Sequence, residues 1–66
     1  MTRRRDEYHP AIRALLDGAE PERSEESRLA LVMLAYMGWS RYPELDDAWY
    51  ERARLELERW RDEQTG

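Results

Sequence analysis

The chain has 66 residues, of which 39% are charged and 41% hydrophobic, with a formal net charge of −4, no cysteine and one histidine. A domain that small buries only about 60% of the surface its unfolded chain exposes, so it is marginal unless a disulfide, a metal or a partner holds it together. The lack of cysteine excludes the first, and His9, without clustered thiolates or imidazoles around it, makes no zinc site.

Residues 1–7 (MTRRRDE) read as a charged leader with little to bury, expected to fray or to be only partly helical. The basic cluster Arg3, Arg4, Arg5 is shorter than the five to eight residues of a nucleic-acid or localisation patch and runs straight into Asp6 and Glu7. It reads as a solvated tail. With no apolar stretch behind it, no signal peptide is expected, and the expected compartment is cytoplasmic.

A single helical domain is predicted over residues 8–64. Pro10 suits a first helical position, and His9 just before it suits a cap. Ala11, Ile12, Leu15 and Leu16 follow at helical spacing, and Asp17-Gly18 supplies a stop, giving a first helix over about 10–17. Tyr8 is placed to staple its start. Two turns do not hold alone, so packing must hold them.

The second helix is predicted over about 21–40, with two starts open. Pro21 fits a first helical position, and Ser24 fits a cap with Glu25 and Glu26 at the positive end of the helix dipole. The helix carries nine consecutive apolar residues, Leu29 to Met37. They would extend roughly 14 Å along a helix, about half of a bilayer core, so they do not cross a membrane.

Pro43 fits another first helical position, with Glu44, Asp46 and Asp47 behind it, and a third helix is predicted over about 43–62. Its apolar stripe is Leu45, Trp49, Ala53, Leu57 and Trp60, at the spacing of one helical face. The far side interleaves acids and bases: Glu51 with Arg54, Arg54 with Glu58, Arg59 with Glu63. Glu56 falls on the apolar side, where it needs a partner such as Arg52 or Arg59. No alternating run bounded by turns indicates a strand. The expected fold class is therefore all-α: a small three-helix domain with a short first helix and an antiparallel hairpin of the second and third, self-associating or partner-bound.

At 100° per residue the apolar run divides into two sides. Leu29, Val32, Met33, Tyr36 and Met37 fall on one, and Ala30, Leu31, Leu34, Ala35 and Gly38 on the other. A helix apolar nearly all round exceeds what one hairpin partner and a two-turn helix cover, and each leucine-sized group left in water forgoes roughly 1.5–3 kcal/mol. Small residues permit a close helix contact. The second side is accordingly assigned to a partner, which gives Ala30, Leu31, Leu34, Ala35 and Gly38 as binding residues. Trp39, Arg41 and Tyr42 join them because Trp, Tyr and Arg dominate interface energetics. Periodicity does not say which side the third helix takes. On this assignment, a charge at Leu31 or Leu34 breaks association and leaves the fold intact.

No catalytic, cofactor or metal site is expected. Ser24, Ser27 and Ser40 have no histidine near them and read as caps and turn residues. Glu-x-x-His, calcium-loop and glycine-rich phosphate patterns are absent. The functional expectation is a non-enzymatic interaction module, acting as a homo-oligomer or as an accessory or inhibitory subunit. The expected partner is a protein or a second copy, with no membrane or small-molecule ligand. Net acidity argues against nucleic acid. The alternative is an antitoxin-like mimic of a phosphate backbone, since beyond residue 5 acids outnumber bases fifteen to eight.

Overall fold

The computed structural model describes residues 4–65, and the fold within them is all-α with no strand. Residues 1–3 of the expected leader lie outside the described residues; Arg5–Glu7 form a single 3-10 turn. Three α-helices follow: α1 (Pro10–Leu16), α2 (Glu25–Arg41) and α3 (Asp47–Thr65).

Local chemistry sets the ends of α1. His9 caps it, Nδ1 accepting from the Ala11 N–H at 3.0 Å, and Pro10 takes the first position, where its missing N–H costs nothing. At the other end Gly18 adopts φ +75°, in the left-handed region that favours glycine. Its N–H donates to the Leu15 carbonyl at 3.1 Å and that of Ala19 to the Ala14 carbonyl at 2.8 Å, a Schellman closure of the last turn.

Of the two starts open for the second helix, the structure takes Ser24. Its hydroxyl accepts from the Ser27 N–H at 3.1 Å, and the Ser27 hydroxyl, buried beneath it, receives the Ser24 hydroxyl's own proton at 3.1 Å. Pro21 is instead a buried residue of the connecting segment. Because Ser24 satisfies both an orphan amide and a buried hydroxyl, Ser24→Ala is expected to cost about 1–2 kcal/mol of unfolding free energy, measurable by urea denaturation.

The third helix starts later than expected, at Asp47. Pro43 sits inside a turn closed by the Leu45 N–H on the Tyr42 carbonyl at 3.0 Å, a second turn position that proline's fixed φ suits as well as a first helical one. Tyr50 pins that turn, its hydroxyl shared between the carbonyls of Tyr42 at 2.7 Å and Leu45 at 2.8 Å.

Helices α2 and α3 run antiparallel: Gly38 lies against Tyr50 near the turn, and Val32 shares a cleft with Leu57 and Trp60 further along. Helix α1 lies across α2 and touches α3 less. The core gathers Tyr8, Ala11, Ile12 and Leu15 with Ala30, Leu31 and Leu34 of α2 and Ala53 and Trp60 of α3. Of the stripe expected for the third helix, Ala53 and Trp60 face inward, Leu57 packs at the margin and Leu45 packs there from the turn before α3; Trp49 is half-buried outside the core, and Tyr50 packs against it instead.

Candidate functional site

The core fixes which side of α2 is free, and it reverses the assignment expected from the sequence. Leu31 and Leu34 have no exposed surface, and Ala30 and Gly38 are buried with them; Ala35 packs against the same cluster. These five belong to the chain's own core. The close approach that small residues permit is used by α3, whose Tyr50 ring occupies the space above Gly38.

The opposite side of α2 is therefore outward. Leu29 is 49% exposed, Tyr36 59%, Met37 44% and Trp39 74%. Val32 and Met33 between them are half-buried. Spacings of three and four residues place Leu29, Val32, Met33 and Tyr36 on one ridge. At Met37 the backbone leaves helical geometry (φ −128°, ψ 16°), so α2 bends there, one residue before its contact with Tyr50.

Two shallow clefts flank the ridge. One runs between Val32 and Tyr36 of α2 and Leu57 and Trp60 of α3, with Arg28 and Arg61 at its rim. The other is lined by His9, Glu26, Leu29, Met33 and Tyr42. Of the three remaining residues assigned to binding, Trp39 and Arg41 are exposed, whereas Tyr42 is half-buried. Tyr42 is a turn residue first: its ring lies 5.9 Å from that of Tyr8, and its carbonyl holds Tyr50. Tyr8 in turn donates to Glu44 Oε2 at 2.7 Å, which ties the start of α1 to the turn before α3.

The charged surface is organised around ion pairs. The expected pairs of α3 form, Arg54 with both Glu51 and Glu58, and Arg59 with Glu63 at 3.5 Å. Glu56 pairs with Arg59 at 3.5 Å and also accepts from the Trp60 indole N–H at 3.0 Å, so its place on the apolar side is satisfied within its own helix. Contacts across the fold were not legible in the sequence. Arg23 meets the Glu63 carboxylate with both terminal nitrogens and lies 5.8 Å over the Trp60 ring, and Arg59 binds Glu20. Together they strap the α1–α2 connection to the C-terminal half of α3.

These contacts set the titration behaviour. The hydrogen bond from Arg23 holds the Glu63 carboxyl below the ordinary carboxylate range, and that from Arg28 does the same to Glu25. Partial burial raises the Tyr50 phenol above its usual value, and the carboxylates of Asp47, Glu44 and Asp46 add to the effect. Among the described residues no group of three or more His, Cys, Asp or Glu is placed to hold a metal ion, and no helix is long and apolar enough to cross a membrane. Comparison with protein-family models, curated proteins and solved structures gives no match.

Proposed function

We propose that the protein is a small, non-enzymatic interaction module that docks the outer ridge of α2, with Trp39 at its end, onto a protein partner: a second copy of itself or a larger protein it serves as an accessory or inhibitory subunit. One observation supports this reading above the others. In a chain that spends so many of its few apolar side chains on its core, Leu29, Tyr36, Met37 and Trp39 remain at least 44% exposed on one helix. Exposed apolar residues scattered singly need no explanation, but here Leu29 and Tyr36 share one ridge, and Met37 and Trp39 follow at and beyond the bend on the same helix. A convex helical ridge suits a helix or a groove of a partner better than it suits a small molecule.

The phosphate-mimic reading has less behind it. A mimic needs a continuous acidic face, and here Glu20, Glu25, Glu51, Glu58 and Glu63 each carry an arginine.

A double substitution tests the docking ridge. Leu29→Glu with Tyr36→Glu is expected to leave the far-UV spectrum and melting temperature close to wild type, because neither side chain belongs to the core. Association, read by light scattering after size exclusion and by capture of a partner with wild type against variant, is expected to be lost. Binding carried by the ridge should persist to about 0.5 M salt, where exposed charges are screened. If wild type is a monomer at high micromolar concentration with a concentration-independent melting temperature, the self-association form is wrong. If the double variant captures the same partner as wild type, the ridge is wrong.

A further inference from the structure

We propose that the partner seated on the α2 ridge is a second copy of this chain, paired antiparallel across a two-fold axis close to Met33, so that Glu26 of each copy meets Arg41 of the other. The inference rests on the ridge being the docking surface, and it names the occupant.

The ridge has two flanks. On one, Glu26 shares a cleft with Leu29, Met33 and Tyr42. Past the bend, Met37 and Arg41 line a second hollow, which Tyr42 also borders. Glu26 and Arg41 therefore lie on the same flank, at opposite ends of α2, and both are exposed. Spacing agrees: Leu29, Met33, Met37 and Arg41 recur every four residues, and Glu26 stands three before Leu29. The other flank carries Arg28, Val32 and Tyr36 beside α3.

An acid at the start and a base at the end of one flank make that flank its own complement in a single arrangement. A two-fold axis perpendicular to α2 reverses the helix and sets each flank against its own copy, an isologous contact. With the axis just past Met33, Glu26 comes level with Arg41 of the second copy, Leu29 with Met37, and Val32 with Tyr36 on the other flank. All three pairings agree in register to within one residue, about 1.5 Å of helix rise. The same register brings Arg28 level with the exposed Trp39 indole of the second copy, a cation beside the ring that attracts cations best. Apolar side chains then fill the centre and charges close the ends, the usual anatomy of a protein interface. The helix dipoles oppose as well. A parallel pair would keep like ends level and leave Glu26 and Arg41 about 22 Å apart along the axis. Rim charges of this kind fix register more than they add affinity.

Charge reversal and cross-linking test the pairing. At low salt, sedimentation equilibrium of wild type is expected to show a dimer, and Glu26→Arg and Arg41→Glu are each expected to weaken it about ten-fold. The two reversals in one chain should recover wild-type affinity, because the pair re-forms with its signs exchanged; a mere loss of helix stability would accumulate in that double variant instead. The chain has no cysteine, so introduced ones report cleanly. Met33→Cys should link to itself through a short bis-maleimide, and Leu29→Cys should link to Met37→Cys in an equimolar mixture in preference to itself. A wild type that is monomeric at high micromolar concentration overturns the second copy as occupant and leaves the ridge to be judged by partner capture with Leu29→Glu, Tyr36→Glu. A dimer that survives that double substitution overturns the ridge itself. A dimer that depends on the ridge but shows no rescue on charge reversal, or that links Leu29→Cys to itself, overturns the antiparallel pairing.

Discussion

Leu34→Asp is expected to unfold the protein, not to detach a partner from an intact fold. Leu34 has no exposed surface and sits where all three helices meet, and Leu31 beside it is equally enclosed. Truncating such a leucine to alanine costs about 2–5 kcal/mol, through lost burial and the cavity left behind. A carboxylate there adds the penalty of an unpaired buried charge, or of the proton it must take up to avoid one. A domain of this size has on the order of 3–10 kcal/mol of stability in total. The aspartate variant should therefore show a largely lost helical signal at 25 °C, and Leu31→Ala or Leu34→Ala a urea midpoint shifted far down with little change in slope. A folded Leu34→Asp monomer that had merely lost association would restore the assignment of Leu31 and Leu34 to a partner.

That assignment shows where periodicity runs out. The spacing of the apolar residues fixes three helices, and it sorts α2 into the two sides the structure displays, Leu31 with Leu34 and Leu29 with Tyr36. It carries no sign. Which side turns inward depends on what the rest of the chain can bring to it. Tyr50 of α3 needs a position with no side chain, and Gly38 provides one on the Leu31 side. Ile12 and Leu15 of α1 add to the same side. The small residues do form a close contact surface, and the neighbour they admit is α3 of the same chain.

Short-range features were legible for a related reason: they are decided within one turn of chain. Ser24 was one of two starts that residue type left open, whereas the Gly18 stop and the pairs of Arg54 follow from residue type and spacing alone. Pro43 did not, because proline serves a helix start and the second position of a turn equally well, and Tyr50 from beyond the turn makes the choice. Links such as Arg23 to Glu63 and Tyr8 to Glu44 join residues about 40 apart, which no local rule connects. The outer ridge became visible only by subtraction, once the core had claimed its side chains.

The same contact makes Gly38→Ala the second large expected effect, with a sign opposite to the helix rule. In an exposed helix, replacing glycine by alanine stabilises by roughly 1 kcal/mol, because alanine restricts the unfolded chain. At position 38 the added Cβ would stand 3.0 Å from Tyr50 Cγ and nearer still to Cδ1 and Cε1 of the ring. The ring cannot swing aside cheaply, since its hydroxyl is held by two carbonyls of the turn. Either α2 moves away from α3 or the turn at Pro43 opens, and overpacking of this kind costs about 1–3 kcal/mol. The clash outweighs the propensity gain, so a net loss of up to about 2 kcal/mol is expected, visible as a lower melting temperature. A double-mutant cycle separates the causes. If packing against the ring is responsible, Tyr50→Ala should be less damaging in the Gly38→Ala background than in wild type, because the clash goes with the ring. Strictly additive effects would place the cost of Gly38→Ala elsewhere, in the bend at Met37.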